Sequence, residues 1–279
     1  SSMRSLLFCF LVMALAGPAS SQTTTDWKSM GLRGKVKELT IQQNYRYKKD
    51  GIVFTPWEKQ YTSIYKFEPT GRYSEFSQLL ANGSLNYRIR YSYNITEKKG
   101  EQAYYDKEDK PTIKKALLYD NKGKMIELVE YTKEGNRRSS YKYVYDAAGN
   151  NTELVYFRED GTMGSKTLWT YDAKGNVAAN SIETPGYATS YKRYTYDSKG
   201  NRTEETWLDG NMQVTFRFVR SYDEKGNVTE EIKYKGDNNP RDKTTWKYEY
   251  DNQGNWIKKT QYASDGTDFN IEERTIIYY

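Results

Sequence analysis

From residue 139 onward, ring-bearing residues recur at every second position in short runs. Tyr141, Tyr143 and Tyr145 share one parity, as do Trp169 and Tyr171, Tyr194 and Tyr196, Phe216, Phe218 and Tyr222, and Trp246, Tyr248 and Tyr250. The intervening positions carry Lys142, Thr170, Arg193, Thr195, Lys247 and Glu249. A period of two is the mark of a β-strand with one covered and one wet face, and no sustained helical period competes with it. The runs end at tight-turn signals. YDAAGN at Tyr145 returns as YDAKGN at Tyr171, YDSKGN at Tyr196, YDEKGN at Tyr222 and YDNQGN at Tyr250, with weaker copies YDNKGK at Tyr119 and FEPTGR at Phe67. The glycines Gly123, Gly149, Gly175, Gly200, Gly226 and Gly254 stand 25 to 28 residues apart, a period typical of a supersecondary repeat. Gly71 precedes Gly123 by two such periods, so a degenerate unit with its turn in Asn94 to Gly100 is expected between them.

Halfway along each unit lies a second turn: Asp50-Gly51, Asn82-Gly83, Gly135-Asn136, Asp160-Gly161, Pro185-Gly186, Asp209-Gly210, Gly236-Asp237 and Asp265-Gly266. In YDxxGN, Asp at the first position of a type I turn accepts backbone N–H bonds and Gly at the fourth enters the left-handed region as a bulge. The turn pairs Asp146/Gly149, Asp172/Gly175, Asp197/Gly200, Asp223/Gly226 and Asp251/Gly254 are therefore assigned structural roles. One repeat of about 26 residues makes one β-hairpin. The chain is expected to be all-β, an antiparallel meander of about 16 to 18 short strands forming a single curled or twisted sheet, a partial barrel or spiral. Open twisted sheets rarely exceed about ten strands without curling, and curling over the aromatic face covers the rings. That face is expected to continue after the turns through Val228, Glu230, Ile232 and Tyr234, and through Met125, Glu127, Val129 and Tyr131. The terminal run Thr275 to Tyr279 needs a partner strand, since a bare apolar edge invites aggregation.

Composition then narrows the chemistry. The 279 residues include no His, one Cys, 28 Tyr and 15% aromatic residues, so imidazole-based triads, ligands and bases are excluded. Rings supply the burial that scarce aliphatic residues do not. The formal charge of +6 is spread over interleaved acidic and basic positions; the short runs Lys48-Lys49, Lys98-Lys99 and Lys114-Lys115 adjoin turns, and nucleic acid is not an expected partner. Cys9 lies in the apolar stretch Leu6 to Ala16, after Met3-Arg4 and before Gly17-Pro-Ala-Ser-Ser-Gln22, the pattern of a secretory signal peptide too short to span a bilayer. Residues 1–21 are expected to be removed, with cleavage after Ala19 as the alternative, leaving residues 22–279 as a single domain without cysteine or transmembrane segment. Cys9 stands too far upstream of the cut to carry a lipid anchor.

YTYDSKGN (Tyr194 to Asn201) and YKYVYDAAGN (Tyr141 to Asn150) resemble the tyrosine-aspartate repeats of RHS and YD-repeat proteins, and the resemblance covers roughly Phe67 to Asn255. The opening Gly31 to Leu39 is similar to that of short exported Bacteroidetes-type proteins carrying such repeats. In the larger family, the resemblance implies hairpins wound into a shell around a toxin, or cell-surface contact structures. This chain shows no self-cleaving core segment, no toxin domain and too few repeats for a large shell, so encapsulation is not carried over.

For binding, the outlying rings Trp207 and Trp256, with Trp169, Trp246, Tyr143, Tyr194 and Tyr248, are the candidate ligand residues; the competing reading makes the ladder simply the core. The repeated Glu153, Glu204 and Glu230 suggest a paired-carboxylate glycosidase, but a catalytic pair is needed once, whereas a residue in every hairpin is more simply bonded across strands, for instance Glu230 to Arg220. No catalytic residue, metal or cofactor is assigned: calcium needs six to eight oxygens, more than one turn Asp supplies. The Asn-x-Thr triplets at Asn150, Asn201 and Asn227 follow from the repeat and are read as turn chemistry. The expected function is a non-enzymatic, exported interaction module, periplasmic, surface-bound or secreted, contacting an unknown protein of the cell envelope through loops or sheet edges. The alternative is a carbohydrate-binding protein using exposed rings on a concave face to hold a glycan.

Overall fold

The computed structural model describes residues 26–46, 48–49, 52–53, 57–236 and 238–279. The expected signal peptide, its Cys9, the Asp50-Gly51 turn and Asp237 lie outside the described residues. A single helical turn, α1 (Asp26–Ser29), precedes β1 (Val36–Tyr45) and an outlying two-stranded hairpin, β2 (Lys48–Lys49) and β3 (Ile52–Val53). There follow β4 (Glu58–Phe67), β5 (Tyr73–Leu79), β6 (Leu85–Asn94), β7 (Lys99–Tyr105), β8 (Pro111–Tyr119), β9 (Met125–Thr132) and β10 (Arg137–Tyr145). The chain goes on through β11 (Asn151–Phe157), β12 (Met163–Tyr171), β13 (Val177–Glu183), β14 (Ser190–Tyr196) and β15 (Arg202–Leu208). It ends with β16 (Val214–Tyr222), β17 (Val228–Lys235), β18 (Asn239–Tyr250), β19 (Trp256–Tyr262) and β20 (Asp268–Tyr278).

From β4 to β20 each strand pairs antiparallel with its neighbours in sequence, and β1 pairs with both β4 and β20. The 18-stranded sheet is therefore closed into a barrel, which overturns the expected open, curled or spiral sheet. Both free edges, β4 and β20, are consumed by one strand. Its sequence, Val36 to Tyr45, lies before the repeats and carries no YDxxGN signal, so the repeat pattern alone left it without a partner. The turn of the degenerate unit falls at residues 95–98, and a further turn at Asp106 to Asp109, which lacks glycine, joins β7 to β8.

The seam is also the most deeply buried part of the wall. Val36 and Leu39 are fully buried with Leu32 and Phe67, and Trp27, Met30, Ile41, Tyr65, Tyr73, Ile276 and Tyr278 pack around them. α1 is tied down at this place: Trp27 Nε1 donates to the Val36 carbonyl at 2.7 Å, and Asp26 Oδ2 accepts from the Tyr73 N–H at 2.6 Å. Asn255 clamps the N-terminal segment to the last strand, exchanging bonds of 2.8 Å with Arg33 and donating to the Tyr278 hydroxyl at 2.7 Å.

The YDxxGN turns are all built alike. At Asp146 the Gly149 N–H returns to the Asp146 carbonyl at 3.0 Å, and Oδ1 accepts the Asn150 N–H at 2.8 Å. Gly149, at φ 86°, holds the left-handed position that a side chain would strain. Each such turn adds a bulge: Tyr222 lies opposite Val228, but Ser221 lies opposite Glu230. A one-residue slip moves a strand's side chains to the other face. Beyond Val228 the ring-bearing face therefore runs through Glu231 and Lys233, opposite Arg220 and Phe218, and beyond Met125 through Leu128 and Glu130, opposite Leu117 and Lys115. Glu230, Ile232 and Tyr234, with Glu127, Val129 and Tyr131, lie on the opposite face, not on the aromatic one as their spacing suggested.

Two outcomes follow at the seam. Leu39→Ala is expected to cost about 2 to 5 kcal/mol, read as a fall in the urea midpoint with an unchanged slope. Burial raises the Asp26 carboxyl to about 6, against the opposing Tyr73 hydrogen bond and Arg72. A raised folded-state value means that stability present below the unfolded value of 3.8 is lost as pH rises toward 6. The stability difference between wild type and Asp26→Asn should change across that window and be flat above it, as followed by denaturation at stepped pH.

Candidate functional site

The two faces of the wall differ in kind. The outer face is a lattice of ion pairs: Glu75 with Lys66 and Arg90, Glu101 with Lys114, Glu153 with Lys166 at 3.5 Å, Glu204 with Arg217 at 3.2 Å and Glu230 with Lys243 at 2.6 Å. The three repeated glutamates therefore face outward on separate hairpins, each with its own cation, and do not form a catalytic pair. Glu230 does not meet Arg220, whose partners are Glu231 and Glu205. A charge at mid-height on a lipid-facing strand costs about 2 to 4 kcal/mol, so a wall with so many faces water. Among the described residues no helix is long and apolar enough to cross a membrane.

The inner face carries the rings. An 18-stranded wall encloses more space than side chains can fill across it, and the stacked and edge-on ring pairs of the sheet all lie within one strand or between adjacent strands. The rings thus pack sideways along the wall, and most stay half-buried. The YD tyrosines also tie successive repeats together through their hydroxyls. Tyr145 donates to the Met125 carbonyl, Tyr171 to Asn151, Tyr196 to Val177 and Tyr222 to Arg202, at 2.5 to 2.8 Å. In the longer last units Tyr248 takes over that bond, to Val228, while Tyr250 and Tyr278 turn to Asp223 and Asp251 of the preceding turns.

The seven candidate ligand residues all sit on this inner face, but in three separate groups. Tyr143 and Trp169 are buried with Leu154 and Val177, and Tyr194 packs against that cluster beneath the Arg202 guanidinium, 4.1 Å from its ring centre. Burial pushes the Tyr143 hydroxyl up to about 12. Trp207 lies between Phe216 and Phe218 with Lys192 over its ring at 4.3 Å. Trp246, Tyr248 and Trp256 form the third group, with Tyr248 and Trp256 packed edge-on at 6.3 Å. Arg274 lies 3.3 Å and Lys259 5.1 Å from the centre of the Trp256 ring.

What the spacing of aromatic residues did not reveal is the charge among the rings. Buried Glu205 receives Trp207 Nε1–H at 2.7 Å and Arg220 Nη1 at 3.2 Å, with Lys192 at 3.7 Å and Arg202 at 3.8 Å. Arg220 continues to Glu231 at 2.6 Å, so one ladder crosses four neighbouring strands, β14 to β17. Burial pushes the Glu205 carboxyl up, but Trp207 and the surrounding cations outweigh it and hold it below its ordinary range. The signal was present: after each turn glycine, the inner positions are the second, fifth and seventh residues, which are Arg202, Glu205 and Trp207 in this repeat.

Glu205→Ala, which leaves Lys192 and Arg202 without their carboxylate and Arg220 with Glu231 alone, is expected to cost about 3 to 5 kcal/mol in urea unfolding. Glu205→Gln should cost less, because an acceptor for Trp207 remains. A depressed carboxyl contributes stability above its unfolded value that is lost as pH falls through the folded one, so the wild-type advantage over Glu205→Gln should shrink on acidification.

No family model matches the chain, and no curated protein matches it. Among solved structures it is similar to a porin-like protein from Bacteroides uniformis ATCC 8492, at 13% identity and a TM-score of 0.48, over 87% of this chain and 96% of that one. A porin-like protein from Bacteroides vulgatus ATCC 8482 matches at 10% identity and a TM-score of 0.39, over 88% and 98%. TcdB2-TccC3 matches at 12% identity and 0.37, over 81% of this chain but 15% of that one. At these scores the likeness carries no argument about activity.

Proposed function

We propose that the chain is an exported YD-repeat protein of the cell envelope or exterior, working without catalysis as a binding module that contacts a protein through the turns at one end of its barrel. Closure removes sheet edges as a route to a partner, so the ends remain. The YDxxGN end is polar apart from Ile95, 70% exposed in the turn between β6 and β7, and Tyr279, 53% exposed. At the opposite end exposed apolar side chains stand on successive hairpins: Tyr187 at 80%, Met212 at 43%, Val214 at 41% and Met163 at 37%. Two of these hairpins touch, since a Cβ on Gly210 would stand 3.0 Å from the Ala188 Cβ.

The observation that carries the reading is Met212. It closes the Asp209 turn with a 3.0 Å bond to the Asp209 carbonyl, at φ 61°, in the place where Gly83, Gly135, Gly161 and Gly266 stand in other turns of this end and Asp109 stands in one. A side chain there costs on the order of 1 kcal/mol or more, and this one is exposed and apolar. Strain kept at an exposed apolar tip supports a contact function. Glycan stacking is less well supported, because the faces of Trp207, Trp256 and Tyr194 are occupied by the chain's own cations.

Met212→Gly relieves the strain, so its melting temperature should be equal to or above that of wild type while partner contact is lost. A photo-crosslinker at position 187 should give a discrete adduct in cell-envelope extract that Met212→Gly abolishes, and one at Glu224, on the polar end, should not. Equal labelling at both ends would count against the proposal.

A further inference from the structure

On the inner wall most cations are matched with carboxylates, and Lys233 lies over the Phe216 ring at 4.5 Å. Lys115 faces Glu130 at 3.7 Å, Lys259 faces Glu272 at 2.8 Å, and Arg220, Lys192 and Arg202 share Glu205. Arg274 departs from this pattern. It lies opposite Ile41 on the seam strand, and among the described residues no carboxylate comes within 4.0 Å of it. Glu272, the acidic residue on the same face of its strand, is held by Lys259. Its Nε is sealed from solvent with no hydrogen-bond partner. Its guanidinium lies 3.3 Å from the Trp256 ring centre, and Tyr65 and Tyr248 are close enough to bias its charge. Burial lowers it to about 10, only partly countered by Glu272 and the two tyrosines.

Arg274 is half-buried; a charge drawn out of water is ordinarily paired, and leaving one without a carboxylate carries a cost. Stacking on an indole offsets part of that cost and fixes the plane of the guanidinium. A planar fork held in one orientation is the geometry that receives two oxygens of a carboxylate or phosphate side by side. The surrounding Ile41, Tyr65, Tyr248 and Trp256 form an apolar, ring-rich floor beside it.

We propose that Arg274 anchors an oxyanion-binding site on the inner wall, taking a small carboxylate- or phosphate-bearing molecule whose apolar body lies against Trp256, Tyr248 and Tyr65. The site is separate from the turns that carry the proposed protein contact, and either can fail without the other.

The test is calorimetry and tryptophan fluorescence on the full chain with benzoate, glucuronate and inorganic phosphate as probes, and glucose as the neutral control. At least one anion is expected to bind and glucose is not. Arg274→Gln should abolish that binding, Arg274→Lys should weaken it by about tenfold or more, since charge remains but the fork is lost, and Arg193→Gln on the outer face should leave it unchanged. Binding of phosphate alone would assign the ligand as a phosphate, and binding of benzoate or glucuronate as a carboxylate. The proposal is overturned if no anion binds wild type, if glucose binds as well as the anions, or if a folded Arg274→Gln protein binds them equally. Should that variant not fold, phenylglyoxal labelling of wild type decides: Arg274 must react, and the bound anion must protect it.

Discussion

The rest of this structure depends on pairing the backbone at the two ends of the sheet. A meander of hairpins always leaves its first and last strands with a row of unsatisfied N–H and C=O groups. Here β1 supplies both missing ladders at once, running from Val36 opposite Tyr278 to Tyr45 opposite Glu58. Because the closing strand is not a repeat, it can afford what the repeats lack: fully buried aliphatic side chains, a helical turn packed beneath it and an asparagine clamp to the final strand. The hydrophobic energy of the fold is concentrated where the topology most needs it.

Closure at 18 strands has a second consequence. Opposite walls do not support each other, so each stretch of wall is held from the side. The YD tyrosine answers this demand, its ring packing on the neighbouring strand and its hydroxyl reaching the carbonyl one repeat back. The Asp of the same motif is spent on its own turn, except where Tyr250 and Tyr278 extend to it. The Glu205 ladder does for charges what the tyrosines do for rings, satisfying buried polar groups laterally along four strands.

Much of the wall was legible in the sequence. Alternation identified the ring-bearing positions of the strands before each turn, and YDxxGN marked where chains reverse. Closure was not legible, because Val36 to Tyr45 shares nothing with the repeat and its two partners are distant in sequence. The inner charges were hidden by a specific error of parity. Counting by twos through the bulge puts Glu230, Ile232 and Tyr234 with the rings, whereas the extra residue in the turn puts Glu231 and Lys233 there. The Asp106 to Asp109 turn escaped notice because Asp109 adopts φ 59° without being glycine. Trp207 and Trp256 were singled out as departures from the repeat. In the fold each has a cation over its ring, as Tyr194, Tyr250 and Phe216 also do, a feature that no spacing of aromatic residues announces.

The distribution of polarity ties these observations together. A membrane barrel turns apolar side chains outward and polar ones inward; this wall turns rings inward and ion pairs outward. Much of its outer surface is satisfied by ion pairs, with Glu75, Glu101, Glu153, Glu204 and Glu230 each matched to a neighbouring lysine or arginine. Among the places where local rules are broken are Met212, in a glycine's conformation at one end, and Arg274, unpaired on the inner wall. In a structure otherwise built from one satisfied unit repeated, such departures carry a cost that stability alone does not explain. That contrast, more than the aromatic ladder itself, is the ground for placing function at the end turns and inside the barrel.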